Sequence, residues 1–136
     1  MRRKTSQPQI RHVLSDQQWT SIPVIESEGL WDDGWVGGQA RFVVQPPRGA
    51  TKLHFVGYKP EWLPNLLIHA SAAGTEVRRQ ILATGNFIVD VPFEVGQTSV
   101  EVLTRSEPVF VPSQLWDSAE DRPLSWVFVG FEVHVP

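Results

Sequence analysis

Residues 124–135, LSWVFVGFEVHV, form the longest apolar run in the chain. The run is far shorter than the roughly 20 residues a membrane-crossing helix needs. It shows no 3.6-residue period, and its Val, Phe and Trp content favours a pleated surface. It reads as a strand buried near the middle of a sheet. A polar loop carrying Trp116, Asp117, Glu120, Asp121 and Arg122 leads into it from a shorter apolar run, Pro108–Pro112. The acids, arginine and indole collected beside a core strand make this corner the first place to look for recognition.

The rest of the chain repeats the same grammar. Short apolar runs at Arg41–Gln45, Thr51–Tyr58, Asn65–Ser71, Thr75–Leu82, Asn86–Val91, Thr98–Thr104 and Val109–Val111 are separated by Gly, Pro and Ala-Gly turn signals. Ala72-Ala73-Gly74 is a hairpin or sheet-crossing signal. Pro23–Ile25 suits a short edge strand, where proline is tolerated. About eight strands at this spacing predict an all-β, antiparallel β-sandwich, jelly-roll or immunoglobulin-like, with little helix beyond a turn around Pro112–Trp116. A chain of 136 residues fits one such domain. The expected division is a polar basic N-terminal arm over residues 1–21, with Arg2, Arg3, Lys4, Arg11 and His12, and a sandwich over residues 22–136. The opening Met1-Arg2-Arg3-Lys4 is followed by no apolar core of a signal peptide, and there are no cysteines. Both features fit a cytoplasmic location. A net charge of −3 gives no global case for nucleic acid.

The order of several short motifs resembles a known group. Gly29-Leu30-Trp31, Arg41-Phe42, Leu66–Ala70, Phe110-Val111-Pro112 and Asp121-Arg122-Pro123-Leu124 precede a closing hydrophobic strand. Over about Glu26–Val135 this is similar to β-sandwich domains attached to bacterial glycosyltransferases and related polysaccharide-assembly proteins. Those domains show an early aromatic-rich glycine loop, an Arg followed by an aromatic, a Phe-x-Pro, and an Asp-x-Arg-x-Leu-Gly before the last strand. Here Glu120 stands two residues before Arg122, with Asp121 adjacent, and Ser125 and Trp126 replace the pattern's glycine and small aliphatic. The resemblance implies a carbohydrate-related accessory role.

The chemistry-bearing residues point the same way. His12, His54, His69 and His134 are scattered singly, and no nucleophile elbow, P-loop or dinucleotide fingerprint is present. The adjacent Asp32 and Asp33 make a poor opposed pair for glycoside hydrolysis. The expected function is therefore non-catalytic, with no cofactor. Loop acids at Asp32, Asp33, Asp117, Glu120 and Asp121 could suit a hard cation, but no calcium-loop spacing occurs, and turn capping explains them more simply. Saccharides present apolar C–H faces rimmed by hydroxyls, so their sites pair flat aromatics with carboxylates, amides and arginine. Six tryptophans are present. Trp31, Trp35, Trp62 and Trp116 fall in segments read as loops, beside Asp32 and Asp33, Glu61 and Asn65, and Gln114 and Asp117.

Trp126, and one of Trp31 or Trp35, are expected to be buried. Trp62 and Trp116 fit either a surface platform or a cap on the core. Arg122 reads first as a brace pairing with Glu120, Asp117 or Glu94, and second as a hydrogen-bonder to sugar hydroxyls. The candidate ligand-binding set is Trp31, Asp32, Asp33, Trp35, Trp62, Trp116, Asp117, Glu120, Asp121 and Arg122, with a saccharide as ligand. The competing reading is a structural or protein–protein interaction sandwich that pairs through an edge such as Thr75–Leu82 or self-associates.

Overall fold

The computed structural model describes residues 19–136, and it is all-β. Nine antiparallel strands and one short helix are present: β1 Trp19–Ile22, β2 Val24–Leu30, β3 Trp35–Val44, β4 Lys52–Lys59, β5 Leu66–Ala72, β6 Thr75–Ile81, β7 Gly85–Val91, β8 Val100–Glu107, α1 Pro112–Leu115 and β9 Trp126–His134. One leaf holds β1, β9, β4 and β7, and the other holds β2, β3, β8, β5 and β6. Trp35 and Val36 pair with Val127 and Trp126, so the start of β3 stitches the leaves into one nearly closed sheet of order β6-β5-β8-β3-β9-β4-β7. Where the open edges approach, Arg79 Nη1 donates to Ile88 O at 2.8 Å.

The alternation read in the sequence sets the core. β8 buries Val100, Val102, Thr104 and Ser106 and exposes the residues between them. β5 buries Leu66, Ile68, Ala70 and Ala72. These meet Phe42, Phe55, Val89, Trp126, Phe131 and Val133 in one cluster. β9 occupies the centre of its leaf, between β4 on one side and β1 and β3 on the other. Its apolar density is explained by a bulge. Phe128 pairs with Gly57 and Gly130 with Val56, leaving Val129 unpaired across from β4. The extra residue restores the inward phase, so Trp126 and Phe128 before it and Phe131 and Val133 after it all contribute to the core. Gly57 makes room for this packing. A Cβ there would lie 2.8 Å from Trp126 Cε3 and closer still to the Phe87 ring.

Several local expectations change. Val109–Val111 is no strand; Phe110 makes an isolated bridge to Leu124. Gly37 and Gly38 are strand residues of β3. Gly38 serves close approach, since a Cβ there would lie 2.7 Å from Val109 Cγ2. Trp35 correspondingly opens β3 instead of sitting in a loop. β1 begins at Trp19, inside the segment read as an arm, and pairs with the end of β9. Residues 1–18 of that arm lie outside the described residues. Trp19 stacks on the His54 ring at 4.0 Å, and His54 Nε2 lies 2.7 Å from Glu132 Oε1, so this buried histidine is satisfied within the sheet.

Candidate functional site

Three connections converge at one end of the sandwich. The first is the β2–β3 turn, residues 31–34. Gly34, at φ 94°, donates to Trp31 O at 2.9 Å, a backbone that favours glycine. The second, residues 60–65 between β4 and β5, is bounded by Pro60 and Pro64 and pinned by the buried Leu63, whose N–H donates to Pro60 O at 3.2 Å. The third runs from Pro108 to Ser125. Pro112 starts α1, where its missing N–H costs nothing. Ser113 then ties the loop together, its N–H donating to Glu120 O at 2.8 Å and its hydroxyl to Asp121 Oδ1 at 2.6 Å. Ser125 Oγ closes the base, donating to Pro108 O at 2.9 Å.

These connections assemble an aromatic cluster. Trp62 lies edge-on to Phe110 at 4.5 Å and to Trp116 at 4.9 Å, and roughly parallel to Trp35 at 6.4 Å. Phe110 also meets Trp35 at 5.7 Å and Trp116 at 6.1 Å. Phe110 is buried and forms the floor. Trp62 and Trp116 remain 45% and 47% exposed, although each already has aromatic neighbours. They therefore present apolar surface to solvent from fixed positions, held by Phe110 beneath them and by the turns that carry them.

Beside this cluster lies a polar brace. Arg122 donates from Nε and Nη2 to the two Glu120 oxygens at 2.8 and 2.9 Å, and from Nη1 and Nη2 to the two Asp33 oxygens at 3.2 and 2.7 Å. Its guanidinium also covers the Trp31 ring at 5.2 Å. The hydrogen bonds from Arg122 hold the carboxyls of Asp33 and Glu120 below the ordinary carboxylate range, and both acids push the guanidinium up in return. Four of the five guanidinium N–H donors are thus committed to protein carboxylates.

The ten candidate residues separate into two sets and a remainder. Trp35, Trp62 and Trp116 join the aromatic cluster, while Trp31, Asp33, Glu120 and Arg122 form the brace. Asp121 is engaged by Ser113, and Asp32 and Asp117 are exposed with no ion pair among the described residues. Of the partners expected for Arg122, Glu120 is present; Asp33 takes the place that Asp117 or Glu94 was expected to fill. Trp126 is fully buried, with no hydrogen-bond partner for its Nε1 among the described residues. Sequence reasoning placed Phe110 in a Phe-x-Pro strand and not in the candidate site, and it did not find a shallow cleft at the end of β5, β6 and β8. That cleft, about 390 Å³, is lined by Asn65, Leu67, Gln80, Glu107 and Pro108. Among the described residues no group of three or more His, Cys, Asp or Glu is placed to hold a metal ion, and no helix is long and apolar enough to cross a membrane.

Neither a family model nor a curated protein matches the chain. Among solved structures, an acetyl xylan esterase from the rumen bacterium Butyrivibrio proteoclasticus is similar over 88% of this chain, at 17% identity and a TM-score of 0.48. The chain spans about a third of that protein, 34% of its length.

Proposed function

We propose that this domain is a non-catalytic carbohydrate-binding module, an accessory sandwich of the kind attached to bacterial glycosyltransferases, that recognises a saccharide on its aromatic end. The observation that carries the reading is the pair Trp62 and Trp116. Both indoles are nearly half exposed while both rest against Phe110, and Trp62 is further flanked by Trp35. An exposed, ordered indole costs little conformational entropy when a flat apolar ligand face lands on it. The polar rim suits the remaining hydroxyls, because Asp33 and Glu120 are ionised acceptors held in place by Arg122. In this reading Arg122 and Trp31 position the rim, and Trp62 and Trp116 contact the sugar.

Intrinsic tryptophan fluorescence tests the proposal directly. The protein is titrated with a panel of bacterial oligosaccharides and nucleotide sugars, with Trp62→Ala and Trp116→Ala as controls. A saturable change is expected, with affinity weakened about tenfold or more in each variant while the far-UV spectrum is unchanged. Silence across the panel sinks the reading.

A second reading rests on the outer face of the β7-β4-β9 leaf. Val56 pairs with Ile88 on one side and Gly130 on the other, and Ile88, Tyr58 and Val129 there are exposed. A flat apolar face of this kind suits self-association or a protein partner. Silence in the titration combined with concentration-dependent sedimentation would select it.

A further inference from the structure

Three rings of the aromatic end stand close to mutually perpendicular. Trp62 and Phe110 cross at 86°, Trp62 and Trp116 at 74°, and Phe110 and Trp116 at 78°. Phe110 is buried, so the members of this trio that face solvent are the two half-exposed indoles. Trp35 is tilted by only 28° from the Trp62 plane, but it is half-buried at the start of β3 and adds no comparable exposed face. Whatever areas Trp62 and Trp116 offer a ligand therefore lie on planes 74° apart, and the two never make one flat platform.

The angle is held from both sides. Trp62 sits in a short connection bounded by Pro60 and Pro64, where the N–H of the buried Leu63 donates to Pro60 O at 3.2 Å. Trp116 closes α1, its N–H donating to Pro112 O and its carbonyl accepting from Ser118 N–H, both at 2.9 Å. The two rings touch, with centroids 4.9 Å apart, and each also meets Phe110. Turning either indole into the plane of the other would break these contacts.

Linkage geometry then selects the glycan. A saccharide stacks through the flat C–H face of its ring. In a cellulose-type chain, equatorial linkages keep successive ring planes nearly parallel, and the chain is a flat ribbon. A ribbon lying face-on against one indole meets the other at a steep angle and gains one stacking contact. In an amylose-type or laminarin-type chain each ring is turned from the last, and the chain winds into a helix. Neighbouring rings of a wound chain can each face one indole and gain two.

Resting on the saccharide reading above, we infer that the aromatic end selects wound glycans over flat ribbons, with neighbouring rings of one chain stacked on Trp62 and Trp116.

The test uses hexasaccharides that share a sugar and differ in linkage. Cellohexaose is compared with maltohexaose and laminarihexaose, and a β-linked ribbon mannohexaose with an α-linked one. Binding to wild type, Trp62→Ala and Trp116→Ala is measured by calorimetry. For the sugar that binds, a wound oligomer should bind about tenfold tighter than the ribbon, the worth of one added stacking contact. In each variant the preference should fall toward parity, because a single remaining indole serves ribbon and helix alike. A ribbon bound as tightly as the wound oligomers, or a preference that survives both substitutions, would overturn this inference while leaving the saccharide reading standing. The wild-type comparison decides the matter even where a variant fails to fold. If no hexasaccharide binds, the inference falls, and the saccharide reading falls with it when the wider panel is silent too.

Discussion

Lys59 closes β4 on its core-facing side, only 1% exposed, with its amine 3.3 Å from Pro60 O and no other partner among the described residues. One long carbonyl contact poorly compensates an amine withdrawn from water. The stem nevertheless fills space beneath the connection that carries Trp62. The two contributions separate by substitution. Lys59→Met keeps most of the volume and removes the buried polar group, so its urea midpoint should equal or exceed that of wild type. Lys59→Ala leaves a cavity and should cost about 2–4 kcal/mol. A Met variant as unstable as the Ala variant would mean that the amine itself holds the connection.

At the scale of an element, the β5–β6 hairpin shows what alternation and turn chemistry achieve without help. β5 buries every second residue, β6 runs exposed along an edge, and the two-residue turn Ala73-Gly74 has φ of 53° and 80°. Positive φ at both positions is the primed turn that matches strand twist. Gly74 adopts it without strain, whereas Ala73 pays for its Cβ. Asn tolerates the left-handed region better than Ala because its short polar side chain hydrogen-bonds locally, so Ala73→Asn should raise stability by about 1 kcal/mol in thermal or chemical unfolding. No change, or a loss, would show that the turn relaxes to another type in solution. β9 behaves differently. Its inward set changes phase at the Val129 bulge, which the unbroken apolar text of residues 124–135 conceals.

At the scale of the whole molecule, Arg122 joins segments 89 residues apart in sequence, since Asp33 sits in the first turn of the site and Arg122 before the last strand. Its hydrogen bonds lower the folded-state pKa of both Asp33 and Glu120. A depressed carboxylate contributes stability that is fully present above its unfolded value, near pH 4, and is lost as pH falls through the folded value. In Arg122→Gln the two acids lose their cation and face each other. The gap between wild-type and variant urea midpoints should thus be widest at neutral pH and narrow steadily below about pH 4. A gap independent of pH would assign Arg122 a packing role over Trp31 instead.

The sequence by itself determined the class of fold. Strand-length apolar alternation, the Ala72-Ala73-Gly74 turn signal and the closing run forced an all-β sandwich, because period and turn propensity act over a few residues at a time. It also named the residue types of the candidate site, since indoles and acids in polar segments are visible locally. What only the tertiary structure decided is which of them meet. Trp35, Trp62, Phe110 and Trp116 converge from three separate stretches, and Asp33 reaches Arg122, because strand order folds three connections onto one end. Phe110 was read only as part of a Phe-x-Pro strand because its role as a floor exists only once the segments carrying Trp35, Trp62 and Trp116 lie against it. The glycine at 38 carries no local strand signal because its need for space comes from Val109, which is distant in the chain and in contact in the fold. Long-range contacts of this kind leave no periodic trace in a single sequence, so local patterning reached the architecture and stopped short of the site.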